Sequence, residues 1–241
     1  MQKGFLKVNR SSTLWKQWSW LLVVGIAFGG LFSPRVGLLL LPIMATLFIT
    51  AVFRGKYWCG SLCPHASLFD HLLLPVSAAR KIPSWLRSKP FVFGFFVLFM
   101  VMFVQRVVSV VPLWGTLGFW DRLGFLLSLN YLMPTLIGSI LAVTVNSRAW
   151  CTFCPMGTMQ LLAYRLGKRV GLTRKTDQLI TMSHPDKCRE CGRCARVCPM
   201  QLEPYNSLSE DNQFVDEACI RCSVCVKECP LKLLSLGSKV E

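Results

Sequence analysis

Apolar positions fill four long runs of this chain, and past Met182 they give way to a polar segment dense in cysteine. The runs extend from about Trp18 to Phe32, from Val36 to Phe53, from Phe91 into the region of Leu113, and from Gly124 to Val145. A helix needs about 20 apolar residues, with a working range of roughly 17 to 25, to cross a hydrocarbon core. The first run reaches that length only if Leu14 and Trp15 join it. It does not read as a cleaved signal peptide, because no small-residue cleavage site follows and a second run begins almost at once. Ser33, Pro34 and Arg35 separate the two, as proline-containing turns do. The pattern predicts an all-α four-helix transmembrane domain of two tandem hairpins, followed by a small α+β domain. The expected bounds are an N-terminal segment 1–17, a four-span domain 18–147 with a loop at 54–90, a linker 148–182, a C-terminal domain 183–236 and a tail 237–241.

Composition agrees with a membrane protein: of 241 residues 53% are hydrophobic and 16% charged, too apolar for an ordinary soluble domain. The net charge of +15 is spread unevenly, with 13 Lys/Arg against 2 Asp/Glu in residues 1–145 and 14 against 10 in residues 146–241. Positive charge before and between apolar runs suits a membrane orientation signal. A nucleic-acid face would instead cluster Lys and Arg on a soluble fold with aromatics between them, so no nucleic-acid partner is expected. Lys3, Lys7, Arg10 and Lys16 precede the first run, and Arg54, Lys56, Arg80, Lys81, Arg87 and Lys89 separate the second from the third. Arg148, Arg165, Lys168, Arg169, Arg174 and Lys175 follow the fourth, whereas the opposite loops carry only Arg35, and Arg122 beside Asp121. The positive-inside rule then puts both chain ends and the long loop in the cytoplasm.

Inside the runs, Gly25 and Gly29 form a small-x-x-x-small pair that predicts close helix packing, with dimerisation as the other reading. Arg106, next to Gln105 in the far third of the third run, either snorkels to the outer interface or touches a quinone head group. Trp114 and Trp120 read as interfacial belt residues.

The C-terminal segment carries "CRECGRCARVCP", with Cys188, Cys191, Cys194 and Cys198, and "CIRCSVCVKECP", with Cys219, Cys222, Cys225 and Cys229, every cysteine recurring 31 positions later. This C-x-x-C-x-x-C-x-x-x-C-P run is the pattern of bacterial two-cluster ferredoxins, in which the fourth ligand comes from the other run. It implies one [4Fe-4S] cluster on Cys188, Cys191, Cys194 and Cys229, and a second on Cys219, Cys222, Cys225 and Cys198. Pro199 and Pro230 then turn the chain away from the clusters. Zinc more often takes separate C-x-x-C pairs, and a cytoplasmic segment disfavours disulfides. Tyr205 and Phe214, between the runs, are expected to lie in a small hairpin shielding the clusters. Arg189, Arg193, Arg196, Arg221 and Lys227 stand ready to offset cluster charge or to dock an acidic redox partner.

Two further motifs follow the second and fourth apolar runs: "KYWCGSLCP", with Cys59 and Cys63, and "RAWCTFCP", with Cys151 and Cys154. Each has a basic residue, one spacer, Trp, Cys and, two or three residues on, Cys-Pro, so both are expected at the cytoplasmic edge. Three readings stay open for the four cysteines: a third metal centre, redox-active dithiols, or buried packing residues. His65 and His71 flank the first motif, His65 with a metal-binding, quinone-contacting or interfacial reading. No C-x-x-C-H haem motif, dinucleotide fingerprint or P-loop is present.

With four runs, two Cys-Pro motifs and a two-cluster tail, the chain resembles the NapH/MauN family of membrane polyferredoxins over nearly its full length. It is also similar to the membrane and ferredoxin parts of NosR and, more loosely, to CcoG. The resemblance implies a multi-pass protein of the bacterial inner membrane, its clusters and both termini cytoplasmic. It would pass electrons between the quinone pool or a cytoplasmic donor and a periplasmic or membrane redox system, as a redox subunit such as a quinol dehydrogenase component. Partners implied are the lipid bilayer, a soluble ferredoxin-type subunit and a reductase or dehydrogenase system. The other reading is a maturation or regulatory factor that supplies reducing power, or senses redox state, while a partner metalloenzyme is assembled. The family's membrane motif is C-x-x-x-C-P twice, and Cys151-Thr-Phe-Cys154 is one residue short of it, which keeps a dithiol switch open there.

Overall fold

The computed structural model describes residues 5–8, 10, 13–173, 176–206 and 208–237. Lys3, Arg174 and Lys175 of the expected orientation signal lie outside the described residues, as do parts of the expected N-terminal segment and all but the first residue of the expected tail.

Among the described residues three helices are long and apolar enough to cross a membrane: Pro34–Arg54, Lys89–Leu113 and Gly118–Thr144. The first opens as a 3-10 stretch, Pro34–Leu39, and continues as α1 (Leu40–Arg54). The second is α2 (Lys89–Val108) with a 3-10 turn at Val111–Leu113, and the third lies within α3 (Leu117–Thr144). Pro34 and Pro90 sit in first turns, where a missing N–H costs nothing. Pro134 sits inside α3 and removes one of its ladder hydrogen bonds.

The expected first span is not a fourth such helix. It is broken into Leu14–Trp18, Trp20–Val24, a π-helical turn Gly25–Gly29, and Gly30–Phe32, ending at Ser33-Pro34. Its unbroken part, Trp20 to Phe32, rises about 20 Å at 1.5 Å per residue, against a hydrocarbon core of about 30 Å. The small-residue pair is also corrected: nothing lies within 4 Å of a Cβ built at Gly25, and only Val36 Cγ1, at 3.9 Å, meets one at Gly29. The close approaches are at Gly30, against the Ser128 hydroxyl, and at Gly37 and Gly124, where a Cβ would overlap the carbonyls of Gly124 and Pro34 respectively. These contacts press the broken segment and the start of the first long helix onto α3.

α4 (Pro155–Arg169) packs along α1, Gly167 against the Val52 carbonyl. The tail then forms β1 (Leu179–Met182), α5 (Arg193–Val197), β2 (Gln213–Phe214), α6 (Val224–Glu228) and β3 (Leu234–Gly237). The sheet is antiparallel in the order β2-β1-β3, with Ile180 opposite both Phe214 and Leu236. It begins at Leu179, upstream of the bound expected at 183. Phe214 is in the core with Ile180, Met182 and Leu234, and Tyr205 packs on it half-buried. The expected hairpin is a single bridge between Leu208 and Phe214.

Candidate iron–sulfur site

The repeat of the tail is a backbone repeat as well. Glu190 and Arg221, Gly192 and Ser223, and Gln201 and Lys232, each pair 31 apart, all have positive φ, from 45° to 67°. For a residue other than glycine the left-handed region costs roughly 1–2 kcal/mol. One of them, Arg221, turns its N–H onto the Cys219 sulfur, the kind of donor an anionic thiolate group uses, and Gln201 and Lys232 close turns on the Cys198 and Cys229 carbonyls.

The thiols gather in two groups. Cys198, Cys219, Cys222 and Cys225 line one small cavity under Ile180 and Phe214. Burial pushes the Cys219 thiol up to about 12, with Cys222 and Cys198 adding to the shift. Burial likewise pushes Cys194 up to about 11, and its charged neighbours are Cys191, Cys188 and Cys229. The last cysteine of the first run, Cys198, therefore meets the first three of the second. Cys191 is exposed, whereas Arg221 is buried and turned toward the membrane part, bonded to Asp177 and the Arg54 carbonyl and stacked 5.0 Å over Tyr164.

The other four cysteines also converge. Cys59 lies in the short helix Tyr57–Ser61 and Cys63 just before the helix Pro64–Ser67. Cys151 lies in the 3-10 turn Trp150–Thr152 and Cys154 caps α4. All four line a single cavity of about 370 Å³ that reaches down between the long helices to Leu40. Trp58 and Trp150, buried, form part of its wall, and Trp150 is held edge-on by Phe95 and Phe153 at 5.9 and 5.0 Å. Burial pushes Cys154 up to about 12, reinforced by Cys151 and Cys59, and Cys63 shifts the same way from the same causes. Gln160 Nε2 donates to Cys59 Sγ at 3.1 Å, and Arg148 Nη1 to Cys151 Sγ at 3.6 Å and to the Cys59 carbonyl at 3.3 Å.

Sequence reasoning missed the charged knot beside these thiols. Arg148 is 0% exposed and forks onto Asp70, Nε at 3.0 Å and Nη2 at 2.6 Å. Arg10 and Lys16, also buried, reach the same carboxylate at 3.4 Å each. Burial alone would raise the Asp70 carboxyl, but Arg148, Arg10 and Lys16 hold it well below the usual carboxylate range. Three cations on one carboxylate leave two buried positive charges unmatched. Lys56, half-buried, lies next to Cys59, its amine pushed down by burial and supported by Cys59, Glu217 and Asp216. The only hint in the sequence was the basic residue heading each motif, Lys56 and Arg148.

His65 lines the cavity, its ring 4.3 Å from that of Tyr131. The Thr135 hydroxyl donates to the Tyr131 carbonyl at 2.8 Å, so it accepts from His65 Nε2–H, also at 2.8 Å, leaving Nδ1 as the ring's acceptor. Burial lowers the His65 pKa to about 4, so the ring is neutral at pH 7. The Tyr131 hydroxyl and Gln160 Oε1 are buried without a partner among the described residues. Arg106 is exposed, 3.5 Å from Asn130 Oδ1 and off the cavity wall, and His71 is exposed. Among the described residues no three His, Cys, Asp or Glu side chains are spaced to hold a single metal ion.

Comparison with protein-family models matches residues 180–230 to a 4Fe-4S dicluster domain, and residues 36–83 and 131–173 to a 4Fe-4S binding domain. Each of the latter stretches takes in one membrane-edge cysteine pair. The chain thus carries 4Fe-4S ferredoxin-type domains. No curated protein and no solved structure matches it.

Proposed function

We propose that this chain is an electron-transfer protein of the bacterial inner membrane, passing electrons between a quinone and a soluble or periplasmic redox system through cytoplasmic iron–sulfur centres. The observation that carries it is the gathering of Cys198, Cys219, Cys222 and Cys225 around one cavity, in a stretch whose backbone repeats at an offset of 31 and which matches a 4Fe-4S dicluster domain. Cys188, Cys191, Cys194 and Cys229 would hold one cluster, and Cys219, Cys222, Cys225 and Cys198 the other. A bound cubane supplies one-electron oxidation and reduction; the chain supplies thiolates, N–H donors and a shield from water.

The same reading makes Cys59, Cys63, Cys151 and Cys154 the ligands of a third, polynuclear centre. A buried charge is costly unless it is matched, and a thiolate-bound cluster is an anion suited to the unmatched cations around Arg148. The apolar cavity beside them suits a quinol, one of whose hydroxyls would donate to His65 Nδ1 and accept from the unpartnered Tyr131 hydroxyl, with Arg106 away from it.

Orientation with clusters in the cytoplasm draws support from the Lys/Arg distribution. A fourth crossing by the broken segment draws support from its path, from Lys16 beside Asp70 to Gly30 beside Ser128, and from Leu6 N–H donating to the Arg196 carbonyl at 3.0 Å, which returns the described start of the chain to the tail.

Protein purified without oxygen in nanodiscs and mixed with a short-chain quinol should lose cluster absorbance. Tyr131→Phe should slow that bleaching by about tenfold, the loss of one positioned hydrogen bond. Intact clusters with no quinol-dependent change would overturn the quinone assignment.

A further inference from the structure

The tail does not hang free of the membrane part; it is docked through one of its two thiol groups. Gly60, between Cys59 and Cys63, lies backbone to backbone on the second cysteine run. A Cβ there would overlap the Ile220 carbonyl and stand 3.1 Å from the Cys222 amide nitrogen. On one flank Arg221 is buried against Gly55, whose φ of +58° lets the chain pass, and bonds the Arg54 carbonyl and Asp177. On the other, Gln201, three residues past Cys198, accepts from Ile82 N–H and Arg87 Nη2 at 3.0 Å and donates to the Arg80 carbonyl at 2.9 Å. Arg165 forks onto Glu217, two residues before Cys219, at 2.7 Å. These docking contacts surround the group Cys198, Cys219, Cys222 and Cys225. The other group keeps an exposed member, Cys191.

We propose that the Gly60–Ile220 seam is the electron-transfer contact between the tail and the membrane edge. It fixes an order, with the group containing Cys222 next to the membrane-edge thiols and the group containing Cys191 as the outward port. The proposal rests on the electron-transfer reading above. The step it requires is one electron: a centre held by Cys198, Cys219, Cys222 and Cys225 would give up one electron, and one held by Cys59, Cys63, Cys151 and Cys154 would accept it. No bond forms and no proton moves. Gly60 is a positioning residue, since only a residue without a side chain lets the two ligand-bearing backbones touch.

The test uses the full chain in nanodiscs, reduced from the aqueous side with dithionite and sampled by rapid-freeze EPR, with iron and sulfide counted on the same preparation. Gly60→Val should keep the wild-type iron count yet slow the appearance of the membrane-edge signal by about tenfold or more, as a misplaced reacting pair does. Gly94→Ala, at a position with nothing within 4 Å, should change neither. Full iron with an unchanged rate in Gly60→Val would overturn the seam. If Gly60→Val does not fold, the wild-type spectrum decides: magnetic coupling between the membrane-edge signal and the tail must vanish in Cys222→Ser and persist in Cys191→Ser, and the reverse overturns the order. A wild-type chain with iron for the tail alone has no membrane-edge acceptor, which defeats the third-centre reading, and with it the seam, by a different readout.

Discussion

Asp70 is the side chain on which the membrane edge depends, because among the described residues it is the carboxylate that buried Arg10, Lys16 and Arg148 share. Removing one partner of a buried charge set leaves the others uncompensated, at a cost of about 3–5 kcal/mol. Asp70→Asn should therefore lower thermal stability steeply in nanodiscs. The pH sign follows from the depressed carboxyl. Its stabilisation is present above the ordinary carboxylate pKa of about 4 and is lost as pH falls through the lower folded value. Wild-type stability should thus drop below about pH 4, and Asp70→Asn should show a flatter acid limb. In the tail, Ser223 holds a φ of 58° where the first run has Gly192 at 67°. Ser223→Gly should leave iron content unchanged and stabilise by about 1 kcal/mol, whereas Gly192→Val should destabilise by roughly 1–2 kcal/mol, both read by chemical unfolding of the tail signal.

At the scale of elements, helix contacts were the least legible part of the sequence. The spacing of Gly25 and Gly29 suggested a packing face, but spacing within one helix does not say what lies opposite. The contact is made by Gly30 on Ser128 and by Gly37 on Gly124. Gly37→Leu should destabilise by about 1–3 kcal/mol or prevent folding, since the carbonyl it meets is backbone and cannot move aside. Gly25→Ala should be neutral or mildly stabilising, and parallel melts of the two variants in nanodiscs would tell them apart. The three long helices were legible because an apolar run of that length has few other uses. The first was not, because hydropathy does not register the break at Ser19 or the wide turn at Gly25–Gly29.

Across the whole molecule, the duplicated cysteine run with its offset of 31 was visible in the sequence, and who meets whom within it was implied by the likeness to two-cluster ferredoxins. The meeting of Cys59, Cys63, Cys151 and Cys154 was expected from topology, but not the cations that surround it. Arg10, Lys16, Asp70 and Arg148 lie up to 138 positions apart and carry no local pattern, so only the fold brings them together. The docking of the tail was equally hidden, because Gly60 looks like any spacer until the Ile220 carbonyl is seen against it. Together these features describe a chain in which three thiol groups are strung from an exposed edge at Cys191 to an apolar cavity among the long helices. The most direct measurement is iron and acid-labile sulfide per chain after anaerobic purification. About twelve of each, the content of three cubanes, is the predicted result; about eight, with Cys59, Cys63, Cys151 and Cys154 still titrating as thiols, would contradict it.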